Sequence, residues 1–328
     1  MVLCWSCVPV AHGTDFGNLR TMSSARLSDT PIVLTGPFRS PVQMLAEQTY
    51  GGHVSVHDEA AAAKLGLAGA PIEGPTHFSQ FEPLAASLWG DRWFSHGCIS
   101  AHFQNMVIEG EQVQAKLTVD GPAVSCARID ACKADGTPVL TGTCSVADHD
   151  QTELSTRLAA AIARPPATLY VLDLLQVGHR GPSTDVGTMG FDDHLGNLYP
   201  FTLRQKLAAI TESMTYFAPD ALTPWGSPVV PFEMLSVLTS AFSTGSGFAA
   251  RQPSVGLFID LEVKMLAGPV FVGRPYRLQR EIVALGASKR TESYWTRTTL
   301  FDGDVAVSEV LLHQGVFKES YPDYPGEG

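Results

Sequence analysis

The chain has 328 residues, of which 45% are hydrophobic and 17% charged, with a formal net charge of −11. This size and apolar content provide a substantial core in one large or two smaller domains. The acidic balance argues against a general nucleic-acid or membrane-surface binder, and no apolar run reaches the roughly 20 residues of a bilayer span.

Residues 1–25 read as an N-terminal extension: MVLCWSCVPVAHGTD lacks the basic start of a signal peptide, and Met22 is a second candidate start. All six cysteines precede residue 145, and Cys4 and Cys7 form a CxxC with no second pair. That pattern fits reduced thiols of a cytoplasmic protein rather than a metal site.

The stretch GLAGAPIEGPTH, residues 66–77, gathers Gly69, Pro71, Gly74 and Pro75 ahead of the apolar HFSQFEPLAASLW. Gly74 suits an N-cap and Pro75 a first helical residue, where a missing N–H costs nothing. Strand-like alternation follows, and KADGTPVLTGTCSV reads as a hairpin turning at Asp135-Gly136. DQTELSTRLAAAIARPP, 150–166, reads as a partly helical linker closed by a proline pair.

The second half repeats this plan. Ser227-Pro228-Val229 answers Ala70-Pro71-Ile72, Val270–Arg274 answers Val107–Glu111, and Asp302-Gly303 answers Asp135-Gly136, in the same order and with a slowly growing spacing. Leu257, Ile259, Leu261, Val263 and Met265 share one strand face, with Phe258, Asp260, Glu262 and Lys264 on the other. The reading is an α+β chain: extension 1–25, first domain 26–148, linker 149–175, second domain 176–320 and tail 321–328. In each domain an antiparallel sheet covers a helix.

This arrangement resembles the double hotdog of MaoC-like, (R)-specific enoyl-CoA hydratases, over roughly residues 30–318. The resemblance is most specific in HDEAAAAKLGLAGAPIEG, where Asp58, Ala62, Gly66 and Gly74 fit the family spacing. It implies two antiparallel sheets, each wrapping a central helix. It also implies a hydratase or dehydratase acting on an acyl thioester, CoA- or carrier-linked, with the Gly74 N–H polarising the thioester carbonyl. No cofactor is implied, and association into a homodimer stays open. At the matching place the second half carries Pro231, which has no N–H, so the oxyanion pole is expected in the first half.

The chain departs from the family in its catalytic pair. The Asp and His of the D-x-N-P-[LIV]-H pattern fall on Gly51 and Val56, and the histidine before the helix-opening glycine is Glu73. Replacement candidates stand close by. His53 and His57 flank the lost positions, Glu73 abuts Gly74, His77 lies one turn into the helix, and Glu233 sits at the mouth of the second helix. An acid and a base drawn from His53, His57, Glu73 and Glu233 would move the protons of dehydration, with Gly74 and His77 binding substrate. Each also has a plain structural reading: Asp58 and the first-turn acids as helix caps or dipole partners, His53 as a loop residue, His77 as a core histidine. His96 and His102 read as strand or loop residues, Glu212 as an acid near the second helix, and Arg274, Arg277 and Arg280 as a solvated face. A thioesterase using Glu233 or Glu82, a cyclase or isomerase, and a non-catalytic partner subunit remain open on the same fold. No GxSxG elbow, Walker A loop or HExxH motif is present.

Overall fold

The computed structural model describes residues 31–49, 55–120, 125–147, 149, 151–242 and 248–325. Ten strands form one antiparallel sheet: β1 (Ile32–Thr35), β2 (Cys98–Phe103), β3 (Val113–Val119), β4 (Cys126–Lys133), β5 (Pro138–Ser145), β6 (Val186–Gly187), β7 (Gly256–Met265), β8 (Tyr276–Ala287), β9 (Thr291–Asp302) and β10 (Val305–Phe317). Their spatial order is β1-β3-β4-β5-β2-β7-β10-β9-β8-β6. Read outward from the β2–β7 seam, the two halves have the same order, so the sequence repeat is a structural repeat. Both hairpins turn at the expected glycines, Gly136 with φ 87° and Gly303 with φ 59°, the left-handed region that favours glycine.

The strand pattern explains the layers. In β3, VQAKLTV, every second residue is buried, as a sheet with one covered face requires. Among the described residues six α-helices accompany the sheet: α1 (Glu59–Lys64), α2 (Glu82–Trp89), α3 (Asp91–His96), α4 (Glu153–Ile162), α5 (Leu203–Ala209) and α6 (Phe232–Ala241). Residues Phe232 to Thr239 of α6 are all buried, the signature of a central helix packed on every side. Its counterpart in the first half is broken in two. Gly74–Gln80 is a 3₁₀ segment, and α2 starts only at Glu82. Pro83 gives the reason: it has no N–H for the carbonyl four residues back, and its ring crowds that carbonyl. The one long helix expected here is therefore two short pieces.

One hydrophobic core runs through both halves, from Phe78, Phe81 and Trp93 to Phe232 and Leu235. Trp93 stacks on Phe232 at 4.5 Å. Helix α4, capped by the Thr152 hydroxyl, lays Leu154 and Leu158 on Ala284, Trp295 and Leu311 of the outer sheet face. Asp260 on β7, an outer-face residue, is consequently 1% exposed. It accepts from His102 Nδ1 at 2.7 Å and His313 Nδ1 at 2.6 Å, its partners on β2 and β10. No helix of the described residues is long and apolar enough to cross a membrane.

Candidate active site

The two halves meet at a cavity of about 760 Å³. The first half contributes His57, Glu73, Gly74, His77 and Phe103; the second contributes Tyr199, Ser240, Arg280, Tyr294 and Gln314. Glu73 is the one acidic residue and Arg280 the one lysine or arginine among the described lining residues.

The Pro/Gly-rich approach to the first helix delivers three of these groups. Ile72 donates its N–H to Val107 O at 2.7 Å, pinning the chain to the sheet just before Glu73 and Gly74. Glu73 is the N-cap residue of the 3₁₀ segment, but its side chain makes no cap hydrogen bond. It is held in the cavity wall instead, where burial pushes its carboxyl up to about 7. Lys206 opposes that rise, Glu233 adds to it, and a hydrogen bond from Tyr199 lowers it. A carboxyl balanced near neutrality can both give and take a proton. Tyr199 reaches Glu73 because its loop is tied to the first half: Thr49 donates to Asn197 O at 3.0 Å and Gln48 Nε2 to Leu198 O at 2.8 Å.

His57 immediately precedes Asp58, which caps α1 by accepting from Ala61 N at 2.8 Å. The His57 Nδ1 lies 2.6 Å from Pro71 O. A carbonyl only accepts, so Nδ1 carries the proton and Nε2 keeps its lone pair. Burial lowers the His57 pKa, partly offset by that hydrogen bond. The ring is therefore a neutral base at physiological pH. His77 is also neutral: burial, then Lys206 and Lys133, drive it down to about 4. Its Nδ1 is buried without a partner.

Gly74 lines the cavity, and its N–H has no acceptor among the described residues. The packing of the cavity wall favours glycine here. A Cβ at position 74 would stand 3.0 Å from the Phe103 ring. The match between the halves also slips by one residue. Val230, not Val229, donates its N–H to Val270 O, just as Ile72 does to Val107 O. Phe232, not Pro231, is therefore the counterpart of Gly74. The Phe232 N–H exists, but it donates to Glu82 Oε1 at 2.9 Å. The same one-residue shift places Ser240 opposite Glu82, and Ser240 lines the cavity.

Glu233 does not reach the cavity. It is 1% exposed, with Lys206 Nζ 3.5 Å from its Oε1, and it acts on Glu73 only through charge. Glu82 is wholly buried at Phe232. Glu212 pairs with Arg39 at 2.5 Å, outside the cavity. His96 is a solvent-side residue ending α3. His53 lies outside the described residues. Among the described residues no group of three His, Cys, Asp or Glu side chains could hold a metal. Sequence reasoning missed Tyr199, Ser240 and Arg280. For Arg280 a signal was present: in β8, YRLQREIVALGA, it falls in phase with Tyr276, Leu278 and Ile282, the buried face.

Two solved structures share this architecture. One, described as a MaoC domain dehydratase from Chloroflexus aurantiacus, matches 88% of this chain and 95% of its own at 14% identity and a TM-score of 0.56. The other, a Mycobacterium tuberculosis protein described as having a double hotdog fold, matches 89% and 97% at 12% identity and a TM-score of 0.53. The fold is a double hotdog. At such identities the likeness concerns the fold alone. A chain described as an oleoyl thioesterase from Lactobacillus plantarum also aligns, at 11% identity over 88% of this chain and 97% of its own, with a TM-score of only 0.39. No protein-family model matches the sequence, and no curated relative does.

Proposed function

We propose that the protein is a hydro-lyase, a hydratase or dehydratase, acting on an acyl thioester or a related α,β-unsaturated or β-hydroxy carbonyl compound. The observation that carries this reading is Glu73: a carboxyl titrating near neutrality in a largely apolar cavity, next to the unpaired N–H of Gly74. Dehydration of a β-hydroxy carbonyl removes the α-proton and expels the hydroxyl as water; hydration runs the same steps backward. Both directions pass through an enolate-like state. In this reading the Gly74 N–H stabilises the enolate oxygen. His57 Nε2 takes the α-proton, and protonated Glu73 gives its proton to the departing hydroxyl, with the roles exchanged for hydration. Tyr199 holds the Glu73 carboxyl.

The thioesterase alternative named Glu233 or Glu82 as the water-activating carboxylate. Neither lines the cavity, which favours the hydro-lyase. The test is incubation of the purified protein with enoyl- and 3-hydroxyacyl-thioesters, read by mass spectrometry. Gain or loss of one water, abolished in Glu73→Gln, supports the proposal. Release of free thiol instead would select the thioesterase, and no change on any thioester would remove the assignment.

A further inference from the structure

The proposed chemistry leaves the one cationic side chain of the described cavity lining unexplained. Arg280 stands on the inner face of β8, in register with Tyr276, Leu278 and Ile282, where an arginine loses its hydration. It is 8% exposed. Burial lowers its pKa, opposed by Tyr294, Asp185 and Tyr199. Its contacts within the protein are weak. Nε donates to Thr298 Oγ1 at 3.4 Å, and the guanidinium lies 5.2 Å from the Phe248 ring centroid. Among the described residues no carboxylate lies within 4 Å of it, and neither terminal nitrogen has a hydrogen-bond partner. Glu73 lines the same cavity and does not pair with it.

A buried cation that makes no ion pair is costly; Asp185 acts on Arg280 only through charge, and other arginines of this strand region have closer partners. Arg274 pairs with Asp302 at 2.6 Å, and Arg277 spreads over the Phe301 ring at 4.1 Å. Arg280 instead lines the cavity, and a guanidinium carries the planar two-nitrogen fork that binds a carboxylate through two parallel hydrogen bonds. A single cation matches a monoanionic carboxylate better than a phosphate dianion. We infer that Arg280 receives a carboxylate on the substrate, apart from the carbonyl handled by Gly74 and Glu73, so that the substrate is an acidic acyl compound rather than a plain fatty acyl chain.

This deepens the proposed function, resting on the cavity being the substrate site, and the test separates the two. Binding of pentanoate and its neutral isostere pentanamide to the full chain is measured by ligand-observed NMR, for the wild type, Arg280→Lys and Arg280→Gln, each checked for folding by its thermal transition. Butyryl-CoA and succinyl-CoA, which have no double bond or β-hydroxyl, are compared in parallel. The expected result is an acid-over-amide preference of about 10- to 100-fold, lost in Arg280→Gln and partly kept in Arg280→Lys. The same preference is expected for succinyl- over butyryl-CoA. Equal binding of acid and amide, binding of neither, or a preference that survives in Arg280→Gln overturns the carboxylate site. An acid preference with no binding of either thioester supports the carboxylate site and removes the thioester reading.

Discussion

Glu82 accepts the backbone N–H of Phe232 at 2.9 Å, across the junction of the two halves. The counterpart N–H, at Gly74, is left unpaired in the cavity wall. The repeat thus builds two helix openings and fills one of them with a side chain from the other half. This asymmetry leaves one candidate active site in a chain with two matching domains. It replaces the simpler expectation that a missing proline N–H disables the second half.

The Glu82 contact makes a stability prediction. Burial raises its pKa well above the usual carboxylate range, so it is held as a neutral acid. Glu82→Gln keeps an acceptor oxygen of the same shape and is expected to melt within a few degrees of the wild type. Glu82→Ala strands a buried N–H and opens a void, for a cost of about 2–4 kcal/mol. Urea unfolding of both variants measures the difference.

Glu73 makes a pH prediction. Its pKa rises from 4.5 to about 7 on folding, so between those values the unfolded chain releases a proton that the folded chain keeps. Stability from this group is full below pH 4.5 and falls as pH rises to about 7. Glu73→Gln removes that fall. It is expected to be more stable than the wild type at pH 8, by on the order of 3 kcal/mol, while losing activity by about 100-fold or more. Unfolding curves at pH 5 and pH 8 test the stability part without any substrate.

Much of this was legible in the sequence. The prolines and glycines at 71–75 place Glu73 and Gly74 at a helix opening, and the Asp-Gly pairs fix both hairpins, because these features are local. His57 and His77, which line the cavity, stand out in the sequence for the same reason. What failed depended on long-range packing. Glu233 has the look of a cavity acid, since a first-turn acid reads the same whether it faces solvent, cavity or core; only the fold shows Lys206 beside it. Tyr199 lies in a loop with no periodicity, and its role comes from Gln48 and Thr49 holding that loop. Arg280 was grouped with Arg274 and Arg277, although strand period puts it on the opposite face from Arg277.

His57 sets the acid side of the rate profile. Because its folded pKa lies below the ordinary histidine value, the neutral base persists to lower pH than a free imidazole allows. Activity is expected to hold as pH falls through ~6.5 and to drop only below it. His57→Ala is expected to lose about 100-fold or more in kcat/KM. Rates of water addition at pH 5–8 for wild type and variant make the check.

Asp260 ties the halves together at the seam. It bridges His102 on β2 and His313 on β10, and Trp295 stacks on His313 at 4.2 Å. Burial would raise its pKa, but the two histidine hydrogen bonds outweigh that and hold it below the usual range. A depressed carboxyl contributes stability above its unfolded pKa and loses it as pH falls through the lower folded value. Asp260→Ala strands both rings and is expected to cost about 3–5 kcal/mol near neutrality, with a smaller penalty in acid. Denaturant melts at pH 7 and pH 3.5 would show it.

The most direct single measurement is the titration of the Glu73 carboxyl itself, by infrared difference spectroscopy of the wild type against Glu73→Gln in the absence of substrate. A carboxyl band that titrates near pH 7 and is missing from the variant is the expected result. A band titrating near 4.5 would mean that the cavity does not tune this acid for proton transfer, and the hydro-lyase chemistry proposed for it would fall.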